Sequence, residues 1–204
     1  VDSLGSVETE KPGDKPKQAI TIEKVNIINK GNIGIPSFEN LMANLEKERL
    51  EKEERLTKIS DKKAEELNAI RAQADSLASG VKIYFNEKGE GEQPKEGDKI
   101  LMNYAGYLAN GSMFDSNVLE NAERFEMVDE RRKAANQYAP VPTDYSQNAG
   151  LIPGFREGLL NMKVGDKTTI FIPAHLGYGE RGVPGVIPPG SELIFELEIV
   201  EVVQ

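Results

Sequence analysis

Between residues 80 and 204 the apolar positions recur with a period of two. Val81, Ile83 and Phe85 alternate along the chain; so do Ile100, Met102 and Tyr104; so do Thr168, Ile170 and Ile172; so do Leu193, Phe195, Leu197 and Ile199. Each run predicts a strand that buries one face. Two stretches break the rhythm. Phe155 to Met162 has a short helical spacing, and Asn117 to Tyr138 a longer, charged one carrying Glu120, Glu123, Glu126, Arg131 and Arg132. The pattern predicts a small α+β domain in which a short helix covers the apolar face of an antiparallel sheet.

Upstream the pattern changes. After Pro36 and Ser37, a plausible N-cap, no Gly or Pro occurs until Gly80. Residues 35–79 therefore read as a long helical linker, roughly 60 Å if unbroken at ~1.5 Å per residue. Phe38, Leu41, Met42 and Leu45 lie near its start, Leu67, Ile70, Ala74 and Leu77 near its end, and only Leu50, Leu56 and Ile59 between. Its two ends thus have apolar surface to bury and its middle has little. Thr57 and Ser60-Asp61 are candidate break points, since Ser and Asp favour caps over helix interiors. The Leu67-to-Leu77 stripe fits packing on the chain's own domain better than it fits a dimer seam, which stays open. Residues 1–34 pass through KPGDKPK into ITIEKVNII, a turn-rich loop and one strand. That segment is too short to own a core, and with Val1 at its head the chain reads as a piece of a longer polypeptide.

Composition narrows the chemistry. Among 204 residues there are 34 acidic and 25 basic side chains, one His, no Cys and no Trp. Thiol nucleophiles, disulfides and Cys-built metal sites are excluded. With His175 alone, a Cys-His pair is impossible and a metal site would have to be mostly carboxylate, yet no Glu-x-x-His or Asp-x-Asp-x-Asp-Gly pattern gathers one. No metal and no cofactor is expected. A net charge of −9 argues against nucleic-acid binding, and no apolar run approaches the ~20 residues a membrane helix needs. Residues 80–204 hold 19 acidic and 12 basic groups, so most of the charge sits there. GEGEQPKEGDK at 89–99 lacks phosphate-loop spacing and reads as a loop between strands. Absence of Cys suits an oxidising periplasm and a cytoplasm alike, so the compartment stays open.

The informative constellation is aromatic. Tyr104-Ala105-Gly106, Leu151-Ile152-Pro153-Gly154-Phe155, Tyr178-Gly179-Glu180-Arg181-Gly182 and Val186-Ile187-Pro188-Pro189-Gly190 each set an aromatic or aliphatic residue close to Gly or Pro, Phe114-Asp115-Ser116 sets one beside a carboxylate, and Phe195 follows in the last strand. In this order they closely resemble the FKBP-type peptidyl-prolyl cis-trans isomerases, over about residues 80–204. The resemblance implies a five-stranded antiparallel half-barrel around a short helix, Gly154 to Asn161, with an apolar pocket between them. It implies catalytic positions at Tyr104, Phe114, Asp115, Ile152, Phe155 and Tyr178, and substrate-binding positions at Leu151, Val183, Ile187 and Phe195. Phe155 would form the floor where many relatives carry Trp, leaving more room and one N–H donor fewer. Proline-containing polypeptides would be the clients, and macrolide inhibitors are implied as ligands.

The chain departs from that family's pattern after Asp115. About two dozen residues intervene before the next strand, near Val141 to Tyr145, so residues 117–139 are expected to be a helical insertion. The pocket wall on that side is open, with Tyr145 and Phe125 as candidates to fill it. A second resemblance covers residues 1–28: VDSLGSVET, PGDKP and ITIEKVNI look like the end of a cyclophilin domain, with none of the residues of its active site. On that reading 1–34 is a tail fragment and a cyclophilin domain precedes Val1.

Rotation about an X-Pro bond breaks no bond to carbon, so it needs no nucleophile or metal. It crosses a barrier of ~18–20 kcal/mol because twisting destroys amide resonance. An apolar pocket favours the twisted amide over the solvated planar one. Tyr178 O–H and the Ile152 backbone N–H are the candidate donors to substrate carbonyls, with Asp115 orienting groups around them. Two other classes stay open: a non-catalytic peptide-binding or chaperone module, and a helix-mediated dimeric scaffold. A hydrolase built on His175 has no supporting motif.

Overall fold

The computed structural model describes Thr9–Glu10, Lys15–Pro16 and residues 38–203, in two compact units, Val1–Glu46 and Lys47–Gln204. In the first, β1 (Thr9–Glu10) pairs antiparallel with β2 (Lys15–Pro16). The strand expected at ITIEKVNII and most of the cyclophilin-like stretch lie outside the described residues.

Helix α1 (Phe38–Arg71) is continuous for 34 residues, about 50 Å. The candidate break at Thr57 is absent because its hydroxyl donates to the Glu53 carbonyl one turn back, at 2.8 Å, which satisfies it inside the helix. Pairs such as Lys47 with Glu51 and Lys58 with Glu54, four residues apart, carry the charged middle. The helix also ends earlier than expected. After Arg71 the chain turns, and Asp75–Ser76 becomes β3, paired with the start of β4 (Lys82–Glu87). Ala74 and Leu77, whose spacing continued the helical stripe, are taken by this strand pairing and its turn.

The sheet of the second unit is antiparallel throughout. Its order is β3, β4, β8 (Lys167–Ile172), β9 (Leu193–Val203), β5 (Asp98–Leu108), with two strands sharing the outer edge of β5. β6 (Met113–Ser116) pairs with its second half, Ala105 to Tyr107, and β7 (Val141–Tyr145) with its first half, Asp98 to Met102. Counting β6 and β7 as one interrupted edge, and β3 as a two-residue extension, this is the expected five-strand arrangement. The residues between β6 and β7 loop out as the insertion. They do not form one helix; they form α2 (Leu119–Arg124) and α3 (Glu130–Ala134).

Alternation along β5 sends side chains to two different layers. On one side Ile100 and Met102 are fully buried beneath α4 (Pro153–Leu160), with Ile170, Ile172 and Leu197 from the neighbouring strands. Pro153 suits the first turn, where no backbone N–H is missed. Gly154 and Gly158 face the sheet one turn apart. A Cβ at Gly154 would stand 2.3 Å from Ile172 Cγ2 and one at Gly158 2.8 Å from Ile170 Cγ2, so side-chain-free positions are what let α4 seat this deeply.

On the other side Ala105 and Tyr107 meet the last turns of α1, where Leu67 is buried against Tyr107, Phe125, Phe171 and Ile194. Two cations complete this layer. Lys63, 6% exposed, puts its ammonium 2.7 Å from Glu196 and 4.8 Å from the Tyr107 ring centroid, while Tyr107 O–H donates to the same carboxylate. Arg71 bonds Glu192 with both terminal nitrogens and lies over Phe171. Burial and the Glu196 charge push the Tyr107 phenol far above its ordinary value. A buried cation is tolerable only when so paired, and these contacts make the end of α1 a layer of the domain and not a free linker.

Candidate active site

Between α4, β5 and the split edge lies a cavity of about 400 Å³, within the ~300–1,000 Å³ typical of small-molecule pockets. Its floor is made of phenyl rings. Phe195 meets Phe155 edge-on at 4.9 Å and Phe114 edge-on at 5.5 Å, the geometry in which ring edges face ring faces. Gly106 makes room for them: a Cβ there would stand 2.5 Å from Phe114 and 2.9 Å from Phe195.

One wall is polar. Tyr104 O–H donates to Asp115 Oδ2 at 2.7 Å, and Arg132 Nη1 donates to Asp115 Oδ1 at 3.2 Å. Arg132 also reaches the Ser116 carbonyl at 3.0 Å. Burial, and then the bond to Asp115, push the Tyr104 phenol far above its ordinary value, so it remains a donor at any physiological pH. The pair Asp115–Arg132 is part-exposed, so its own contribution to stability is small, about 0–1 kcal/mol. Its value lies in direction, because it fixes which way the carboxylate faces. Asn117 underpins this wall: its side chain accepts from the Tyr104 N–H and donates to the Met102 and Ala139 carbonyls, pinning both ends of the insertion to β5.

At the mouth, two donors have no protein acceptor among the described residues. The Ile152 backbone N–H precedes the first turn of α4 and is one of the donors a helix start leaves over. The Tyr178 hydroxyl is the other, on an exposed ring ahead of a 3₁₀ turn at Gly179–Arg181.

Eight of the ten expected site positions line this one cavity: Tyr104, Phe114, Asp115, Leu151, Ile152, Phe155, Tyr178 and Phe195. The other two stand beside it. Val183 and Ile187 exchange two backbone hydrogen bonds, both 2.8 Å, in a tight hairpin; Ile187 is buried in the cluster that holds Phe155, and Val183 packs on that cluster. His175 is exposed on a separate 3₁₀ turn and lines no part of the cavity.

The open wall is filled by neither expected residue. Val141 and Thr143 of β7 line it. Tyr145, on the same face of β7 but beyond the cavity, is buried in the core with its hydroxyl donating to the Leu160 carbonyl at 2.8 Å, and Phe125 packs on Tyr107 in the opposite layer. The residue that sequence reasoning missed is Arg132. An Asp129 cap signal marks the start of α3, but only the folded insertion shows where the guanidinium three residues later goes.

A model of the FKBP-type peptidyl-prolyl cis-trans isomerases matches residues 90–200. The chain belongs to this family. FkpA of Escherichia coli K12, an FKBP-type isomerase, is 30% identical over 168 residues, 82% of this chain and 54% of that protein. FK506-binding protein 1 of Dictyostelium discoideum is 35% identical over 122 residues, 59% of this chain and 96% of its own length. Among solved structures, that of AtFKBP13 superposes with a TM-score of 0.51 at 27% identity, covering 64% of this chain and 98% of that one. The α+β architecture is thus an FKBP fold. The chain spans about half the length of FkpA. Among the described residues no helix is long and apolar enough to cross a membrane, and no group of three or more His, Asp or Glu is placed to hold a metal ion.

Proposed function

We propose that this FKBP domain catalyses cis-trans rotation about X-Pro bonds in proline-containing polypeptides, with the pocket residues as its machinery. One observation carries the reading: a floor of three phenyl rings lies beneath a mouth with two uncommitted donors, and no nucleophile-base pair lines the cavity. The prolyl ring enters between Phe114, Phe155 and Phe195, which grip it by shape and exclude water. In that setting the twisted amide, less dipolar than the planar one, is favoured over the ground state. Ile152 N–H and Tyr178 O–H receive substrate carbonyls, and Asp115, held by Tyr104 and Arg132, sets the field beside the rotating carbonyl. A useful isomerase lowers the barrier by about 5.5–8 kcal/mol, or 10⁴- to 10⁶-fold. No single contact here is asked for more than a fraction of that.

Leu151 at the rim and the Val183–Ile187 hairpin beside it would contact the residues flanking proline. The acidic balance of residues 80–204 would favour basic flanks. Macrolides that present a ring carbonyl and an apolar ring would compete for the same floor. The domain boundaries we propose are a tail at 1–34, α1 as arm and packing layer, and the isomerase with its insertion at 117–139. The likeness of residues 1–28 to the end of a cyclophilin domain is carried by VDSLGSVET, PGDKP and ITIEKVNI.

A proline-limited refolding assay tests the reading. Acceleration at micromolar protein is expected, with Phe155→Ala and Tyr178→Phe each slower than wild type. No acceleration, or three indistinguishable proteins, leaves the peptide-binding or chaperone alternative. The helix-scaffold alternative has one observation in its favour: Phe38, Leu41, Met42 and Leu45, at 3-4 spacing on α1, are each about half exposed or more. A monomeric mass by light scattering at high concentration removes it.

A further inference from the structure

The insertion breaks a local rule. Both of its helices end in the same motif, with the N–H three residues past the last helical residue bonded five residues back: Met127 to Ala122 and Gln137 to Arg132, each at 2.8 Å. The motif requires a left-handed residue before the closing one. Asn136, φ 52°, is a good choice for it, but Glu126, φ 51°, is a poor one. What Glu126 brings is its side chain. Its carboxylate accepts from Arg55 Nε at 3.1 Å and lies 3.6 Å from Lys52 Nζ, both on α1. Its neighbour Phe125 is buried in the layer containing Leu67.

The other end of the insertion reaches the pocket. Asp129 caps α3 by accepting from the Arg131 and Arg132 backbone N–H groups, and its own N–H donates to the Tyr138 hydroxyl at 2.9 Å. The Tyr138 ring lies 4.8 Å from the Arg132 guanidinium, which that arrangement aims at Asp115.

We propose that the insertion is a strut between α1 and the pocket, with Glu126 as its anchor and Arg132 and Tyr138 as positioning residues that hold Asp115 for isomerisation. This rests on the isomerase reading above. The long helix is then coupled to the site: whatever moves the stretch holding Lys52 and Arg55 moves the side of the pocket that orients the carboxylate. Because the proposed effect is on transition-state orientation and not on uniform binding, kcat falls and KM stays.

Glu126→Gly separates this from a mere stabilising role. Glycine suits the left-handed backbone, so the melting temperature holds or rises, yet the anchor is gone and kcat on an X-Pro peptide falls about threefold with KM within twofold. Glu126→Lys, facing two cations, falls further. The inverted clasp, Lys52→Glu with Arg55→Glu and Glu126→Lys, recovers most of the loss. Backbone amide signals of Asp115 and Arg132 shift in Glu126→Lys and return in the inverted variant. Wild-type kcat in Glu126→Gly, a loss that the inverted clasp leaves in place, or unmoved Asp115 and Arg132 signals overturns the strut. If wild-type protein isomerises nothing, the catalytic reading falls by itself and the amide signals still decide whether the strut exists.

Discussion

Replacing Gly154 with alanine puts two opposing effects on one atom. In a helix alanine is ordinarily better than glycine by about 1 kcal/mol, and less than that in the first turn, where Gly154 lies. Against it stands the added Cβ, 2.3 Å from Ile172 Cγ2 and 3.2 Å from Ile172 Cβ. Ile172 is fully buried and β-branched, so it has no rotamer that clears the overlap without displacing another core atom. The alternative is for α4 to lift from β8. Overpacking of this kind costs about 1–3 kcal/mol, so the net is a loss of roughly 0.5–2 kcal/mol. With a urea slope of ~1–3 kcal/mol/M, the unfolding midpoint drops by about 0.2–2 M at unchanged slope. The double variant with Ile172→Ala supplies the control. That change alone leaves a cavity and costs about 2–5 kcal/mol, but it also removes the obstructing methyl, so the pair is coupled by about 1 kcal/mol or more. Since Ile152 and Phe155 ride on α4, the single variant also loosens the pocket and weakens ligand binding. A midpoint that rises in Gly154→Ala, or costs that simply add in the double variant, would show that close helix-sheet seating is not what this glycine serves.

Phe155→Trp gives this Trp-free chain one indole, and because the extra ring enters the cavity, stability changes by less than ~1.5 kcal/mol and the emission is blue-shifted; emission like that of free indole in water contradicts the placement of Phe155 on the floor. Leu67→Ala costs about 2–5 kcal/mol in urea unfolding and Leu50→Ala, half exposed on the same helix, under ~0.5 kcal/mol; equal costs would mean that α1 does not pack on the domain through its last turns. Asp129 is held below its ordinary value of 3.8 by the Arg132 and then the Arg131 backbone N–H, so its cap contributes above the unfolded value and is lost as pH falls through the lower, folded one. The Arg131 and Arg132 amide signals should therefore titrate with a midpoint under 3.8, and a midpoint above it removes the cap from the account.

What the amino-acid order determines by itself is what depends on neighbours along the chain. Period-two runs mark β4, β5, β8 and β9; Pro153 and the spacing from Phe155 mark α4; the ordered Gly- and Pro-flanked aromatics mark the family and eight of the residues that line one cavity. Where partners lie far apart in sequence, local pattern misleads or is silent. α1 stops at Arg71 although its apolar stripe continues, because β3 gains a ladder with Lys82 and Ile83 that a further helical turn would forfeit. Asn117 to Tyr138 reads as one charged helix but folds as two, since its ends must meet the two halves of a single edge strand on β5. Arg132 looks like one surface base among four, and Lys63 like one more charge on a solvated helix. Tertiary structure alone sets the first against Asp115 and buries the second against Glu196, because a charge can leave water only where a distant chain segment supplies its partner.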